Sequence, residues 1–227
     1  MVLLALALAP ALFIMVYIYA KDKYEREPIS LLLKNFGLGA SASVIMTLVI
    51  GAFGNVFLPV TDPESVVQQF VKAFIVVALV EEFSKYVIVR YYAQRNKEFD
   101  EPFDGIVYAV MVAMGFAALE NIMYVFQFGM TNGIVRAFTA VPAHATFGIL
   151  MGYYMGKAKF AKTKKEKIRL NLTGLFAATL FHGLYDFFLF INFIPGISVG
   201  AFLSLIFGVL LSRKAIKKHQ EVSRFKH

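Results

Sequence analysis

Residues 105–126 read GIVYAVMVAMGFAALENIMYVF. One charged side chain, Glu120, occurs in these twenty-two positions. A helix of about 20 apolar residues crosses the roughly 30 Å hydrocarbon core of a bilayer, so the stretch predicts a membrane span. Six more stretches of the same kind flank it, at 2–20, 36–58, 69–89, 134–155 and 170–191, with a shorter one at 197–211. The expected fold is all-α, a polytopic transmembrane bundle of about seven spans in one membrane domain over 1–227.

Composition agrees. Apolar residues make up 59% of the 227 and charged residues 17%, below the roughly 25% of a soluble domain. A soluble chain of this length has too little interior to hide 24 Phe. Disordered proteins, nucleic-acid modules and cytosolic enzymes are excluded on these grounds. Without cysteine, disulfides, thiol catalysis and thiolate metal sites are excluded together.

The net charge of +8 is segregated. Twenty of the 23 Lys and Arg residues fall after spans one, three and five and in the C-terminal tail, while 59–68, 127–133 and 192–196 hold none. Basic residues collect on the cytoplasmic side, so the pattern predicts N-terminus outside and C-terminus in the cytoplasm. The lysine run at 157–169 reads as a solvated loop near anionic lipid. The first span lacks a basic segment before it and reads as a retained helix, not a cleaved signal. Gly148, Gly152 and Gly156, four apart, read as a helix-packing stripe.

An ionisable side chain deep in a membrane helix costs about 2.5–3.5 kcal/mol or more and marks a functional site by default. Four consecutive spans carry such groups. Span three has Glu81, Glu82 and Lys85, with Lys85 one turn from both acids; one carboxylate is expected on Lys85 and the other towards the interior. Span four has Glu120 and Asn121, span five His144, and span six His182 with Asp186 one turn on. Asp104 reads as a helix N-cap, and His219 and His227 as bystanders in the basic tail. Helix ends place Glu120 at a different depth from Glu82, which ranks it below the others.

Glutamates and imidazoles gathered in one bundle suit hydrolysis. A carboxylate can take a proton from water while imidazoles stabilise the oxyanion. Alternatively Glu82, His144 and His182 can hold a divalent metal such as zinc, leaving a fourth position open. The residues leave both readings standing, so the cofactor is either none or such a metal. Other intramembrane chemistries fit poorly. HExxH is absent, Gly39-Ala40-Ser41-Ala42 is not a serine-nucleophile turn, and Asp186 is the single deep aspartate.

Glu81-Glu82-Phe83-Ser84-Lys85, Phe103-Asp104-Gly105, Gly115-Phe116-Ala117, Glu120-Asn121, His144-Ala145-Thr146-Phe147-Gly148 and His182-Gly183-Leu184-Tyr185-Asp186 occur in this order. Over about residues 70–190 the chain resembles the PrsW family of bacterial intramembrane proteases, which is distantly similar to the CAAX prenyl endopeptidases. Those carry a base one residue beyond Lys85, and a Phe where Ala140 stands, so the resemblance is to PrsW. It implies a catalytic core at about 69–191, with the base supplied by Glu81 and Glu82 and the centre completed by His144 and His182. Lys85, Glu120, Asn121 and Asp186 are carried over as groups that orient the centre or hold the oxyanion. It also implies a multi-pass protein of the bacterial cell membrane and site-1 cleavage of a single-pass membrane protein, such as an anti-sigma factor, during envelope stress. A proton- or cation-coupled transporter would use the same buried groups as a relay, but no inverted repeat supports it. An idle scaffold would tolerate alanine at Glu81, Glu82, His144, His182 and Asp186.

Overall fold

The computed structural model describes residues 2–226; His227 lies outside them. Among the described residues there are seven helices and no strand: α1 (Val2–Lys21), α2 (Ile29–Phe57), α3 (66–91), α4 (Asp104–Phe138), α5 (Ala140–Lys159), α6 (Lys164–Phe190) and α7 (Val199–Glu221). Five of them, α1, α2, α4, α6 and α7, are long and apolar enough to cross a bilayer by length and composition. The other two, α3 and α5, carry Glu81, Glu82, Lys85 and His144.

The centre of the bundle is α4. From Asp104 to Ala118 nearly every side chain is buried, because α1, α2, α3 and α5 enclose it. Outward faces carry large apolar groups such as Phe13, Val56, Phe57 and Phe138, all over 70% exposed, as expected where lipid is the solvent. Small residues set the close approaches. A Cβ on Gly152 would lie 2.2 Å from the carbonyl oxygen of Gly105, and one on Gly156 would lie 2.1 Å from that of Pro102. The glycine stripe does pack α5 onto the start of α4, as its spacing predicts. Gly152→Ala is expected to destabilise the bundle by at least about 1–3 kcal/mol, since the atoms it meets are backbone that cannot rotate away. Thermal unfolding followed by circular dichroism in detergent measures this.

Three irregularities position the site. The Gly39–Ser43 and Lys72–Leu79 segments of α2 and α3 are wound as wider π turns, which rotate whatever follows them; the second ends just before Glu81. The third is Gly129, with φ +81° and ψ −174°, where α4 breaks. Past it the chain turns back, so that residues 130–138 lie beside the preceding segment and Gly133 packs on Val125. The span expected at 134–155 is corrected accordingly: 134–138 belong to this returning segment, and α5 starts at Ala140. The last helix is also longer than expected, reaching Glu221.

Candidate functional site

Lys85 is the hub. Its side chain is 2% exposed, and its Nζ lies 2.7 Å from Glu82 Oε1, 3.4 Å from Glu81 Oε2 and 3.2 Å from His144 Nδ1, 4.0 Å from the centre of the Phe116 ring. The expected division, with one carboxylate on Lys85 and the other towards the interior, is modified: the ammonium reaches both acids, Glu82 at the shorter distance, and Glu81 also faces inward. Within its turn, Ser84 ties α3 to α2 by hydrogen bonds with Ser43 (2.8 Å) and Thr47 (2.9 Å).

An ammonium can only donate, so Nδ1 of His144 accepts from Lys85. Its Nε2 therefore carries the proton and donates to Glu120 Oε2 at 2.9 Å. His182 is arranged alike, with Nδ1 2.9 Å from Glu82 Oε1 and Nε2 3.3 Å from Asp186 Oδ2. Each imidazole thus turns Nδ1 to the Lys85–Glu82 pair and Nε2 to a carboxylate. The rings lie edge to face at 5.3 Å, and Phe147 stacks on His182 at 4.8 Å. All eight residues singled out from the sequence meet in this network or at its edge. Asn121 sits at the edge, donating to the Ala7 carbonyl at 3.1 Å and accepting from Arg136.

Glu120 joins the centre directly, which corrects its low rank. The apparent difference in depth is bridged by His144, which spans from Glu120 to Lys85. Arg136 was missed. Its guanidinium donates to Glu120 Oε2 at 2.7 Å and to Asn121 Oδ1 at 3.0 Å. In a straight helix, sixteen residues separate two groups by about 24 Å; the break at Gly129 removes that distance. The signal in the sequence was a basic residue that, like Lys72, stands beside loops otherwise free of them. Two other expectations change. Asp104 does not cap its own helix: its Oδ2 accepts the N–H groups of Asp100 and Glu101, at 2.7 Å each. His219 lies not in a solvated tail but buried, stacked on Tyr153 at 4.4 Å.

A cavity of about 570 Å³ opens onto the network, lined by Glu81, Glu120, His144, His182, Asp186 and Arg136 among others. Glu82 and Lys85 lie behind its wall. Glu81, Glu82, His144 and His182 each offer a ligand atom, all within 4.8 Å of one another, and Glu82 Oε2 is buried with no hydrogen-bond partner. This donor set fits a divalent metal: two imidazoles, two carboxylates and an orphan oxygen, with carboxylates on the far nitrogens of the imidazoles, as metal-bound histidines have. The Lys85 ammonium occupies the same hollow as a stand-in cation.

Comparison with known proteins identifies the family. The family model for PrsW family intramembrane metalloproteases matches residues 27–212. A protein named Protease PrsW from Geobacillus kaustophilus (strain HTA426) is 37% identical over 93% of this chain and 90% of its own length. Proteins of the same name from Oceanobacillus iheyensis and Bacillus subtilis (strain 168) are 40% and 36% identical, each over 82% of both chains. No solved structure matches. With most of its length, its helices and its buried Glu/His network accounted for, the chain belongs to the PrsW family of intramembrane metalloproteases and is a multi-pass membrane protease.

Proposed function

We propose that this protease performs site-1 cleavage of a single-pass membrane protein of the anti-sigma-factor kind, using water activated by the Glu81/Glu82/His144/His182 centre. The observation that carries the reading is the pair of imidazoles at the wall of the cavity, His182 held between Glu82 and Asp186 and His144 between Lys85 and Glu120. Asn132, Arg136 and Thr139 on one side and Asp186, Leu189 and Phe190 on the other line that cavity, and they lie in or near the loops that hold no basic residues. On the positive-inside orientation the cavity then opens towards the outer half of the membrane. A first cut at the outer side fits that position.

Glu81 faces the cavity and Glu82 does not, which divides their work. Glu81 is the base: it takes a proton from water as the oxygen bonds to the carbonyl carbon, then gives it to the amide nitrogen as the C–N bond breaks. Glu82 fixes Lys85 and His182. Glu120 and Asp186 orient the two imidazoles, and Arg136 and Asn121 brace Glu120. A metal held by Glu82, His144 and His182 would add Lewis acidity and lower the pKa of a bound water. The surrounding helices form one catalytic unit with its core at about 69–191.

The test is cleavage of a tagged single-pass substrate co-expressed with Glu82→Gln or His182→Ala, read by blot. Both variants are expected to leave the substrate intact at normal expression. Full cleavage by both sinks the assignment.

A further inference from the structure

Seven of the fifteen acidic residues of this cationic chain lie in two short segments, 22–27 and 98–104. The structure brings these segments together at the start of α4. The Tyr108 hydroxyl donates to Glu27, the Glu27 backbone N–H to Asp22 Oδ2 at 3.4 Å, and the Ser223 hydroxyl to Glu101. The ion pairs that reach the seven are at the rim: Arg224 with Asp100 and Lys97 with Glu98. Among the described residues Asp22, Glu25, Glu27, Glu101 and Asp104 have none.

The interior of this cluster is left unsatisfied. Asp22 Oδ1, Glu25 Oε2, Glu27 Oε1 and Asp104 Oδ1 are buried with no hydrogen-bond partner. Asp22, Glu27 and Asp104 are 0%, 1% and 0% exposed. Glu25, Glu27 and Asp104 each offer an oxygen within 4.8 Å of the others. Buried carboxylates that have no counter-charge and keep an oxygen without a hydrogen bond are disfavoured. Carboxylate oxygens converging from several chain segments are what hard divalent cations take as ligands.

We propose that Glu25, Glu27 and Asp104, with Asp22 beside them, bind a hard divalent cation, Ca²⁺ or Mg²⁺, that staples the loop after α1 to the loop before α4. Burial pushes the Glu27 carboxyl up to about 8 and the Asp22 carboxyl up to about 7, the cost a bound cation would relieve. The site is distinct from the proteolytic centre. Tyr108 and Glu120 stand twelve residues apart on α4, about 18 Å along its axis.

The full-length protein, purified in detergent and stripped with chelator, provides the test. It holds neither Trp nor Cys, so unfolding is followed by circular dichroism, and binding by Tb³⁺ luminescence sensitised by tyrosine. The Tyr108 hydroxyl touches Glu27, which makes it the antenna. Tb³⁺ is expected to light up and to be competed off by CaCl₂ or MgCl₂, the stronger competitor naming the ion. The same salt raises the unfolding midpoint. Glu25→Gln, at a half-buried position that need not disturb the fold, is expected to weaken binding at least tenfold, and Glu27→Gln to abolish it. Tyr108→Phe is expected to dim the emission while the salt still raises the midpoint. Glu81→Gln, in the proteolytic centre, leaves all of these effects in place. No emission and no midpoint shift in the unaltered protein overturns the proposal, and means that the acids share protons instead. Effects that survive Glu25→Gln and Glu27→Gln, or vanish in Glu81→Gln, overturn it equally.

Discussion

Glu81→Gln is expected to lower cleavage by on the order of 10²–10⁴-fold, the usual contribution of a positioned general base, with little loss of folded protein. The two halves of that expectation come from one geometry. Glu81 lines the cavity, where a substrate carbonyl and water can reach it, and its bond to Lys85 is the longer of the two at 3.4 Å. Gln keeps the shape and gives up the proton acceptor. Glu82 differs: it is 1% exposed, 2.7 Å from Lys85 and 2.9 Å from His182. Removing its charge leaves Lys85 short of its nearest partner, so Glu82→Gln loses stability together with activity. Initial cleavage rates on a tagged substrate, beside melting curves of both variants, separate the roles. Equal loss of stability in the two would mean that Glu81 is a structural acid and not the base.

The residues that make the centre were legible because lipid makes them conspicuous. Glu81, Glu82, Lys85, His144, His182 and Asp186 stand out against apolar surroundings, and helical spacing alone puts Lys85 by the acids and Asp186 by His182. The spans were legible for the same reason. What escaped depends on backbone that hydropathy does not describe. Arg136 reaches Glu120 only because the chain reverses at Gly129, and a glycine at a positive φ inside an apolar stretch looks in sequence like any other glycine. The depth of Glu120 misled for a related reason, since a His side chain connects levels that a count of residues keeps apart. The acidic cluster escaped differently. Its members sit in or beside loops that mix acids with Lys and Arg, where acids are expected to be solvated, and only the fold buries Glu27 against Tyr108.

Lys85→Met is expected to be the most damaging single change to stability, and it also tests whether the centre takes a metal. The ammonium sits among two carboxylates and two imidazoles, and its two nearest partners, Glu82 and His144, are buried beyond easy solvation. Removing one partner of a buried ion pair costs about 3–5 kcal/mol, which for a chain of this size lowers the unfolding midpoint by about 6–20 °C. Met fills much of the same volume, so the loss reports charge and not a cavity. The variant also empties the hollow that Lys85 shares with the four candidate ligands, and both histidines keep the carboxylates that orient them. Zinc added after chelation is therefore expected to restore much of the lost midpoint in Lys85→Met and to raise the unaltered protein less, because there it must compete with a tethered cation. Melting curves with and without zinc, on Lys85→Met and on Lys85→Met combined with His144→Ala, measure this. A midpoint in Lys85→Met that does not respond to zinc would leave the glutamates and imidazoles to work without a metal. A response that persists when His144 is gone would place the ion elsewhere.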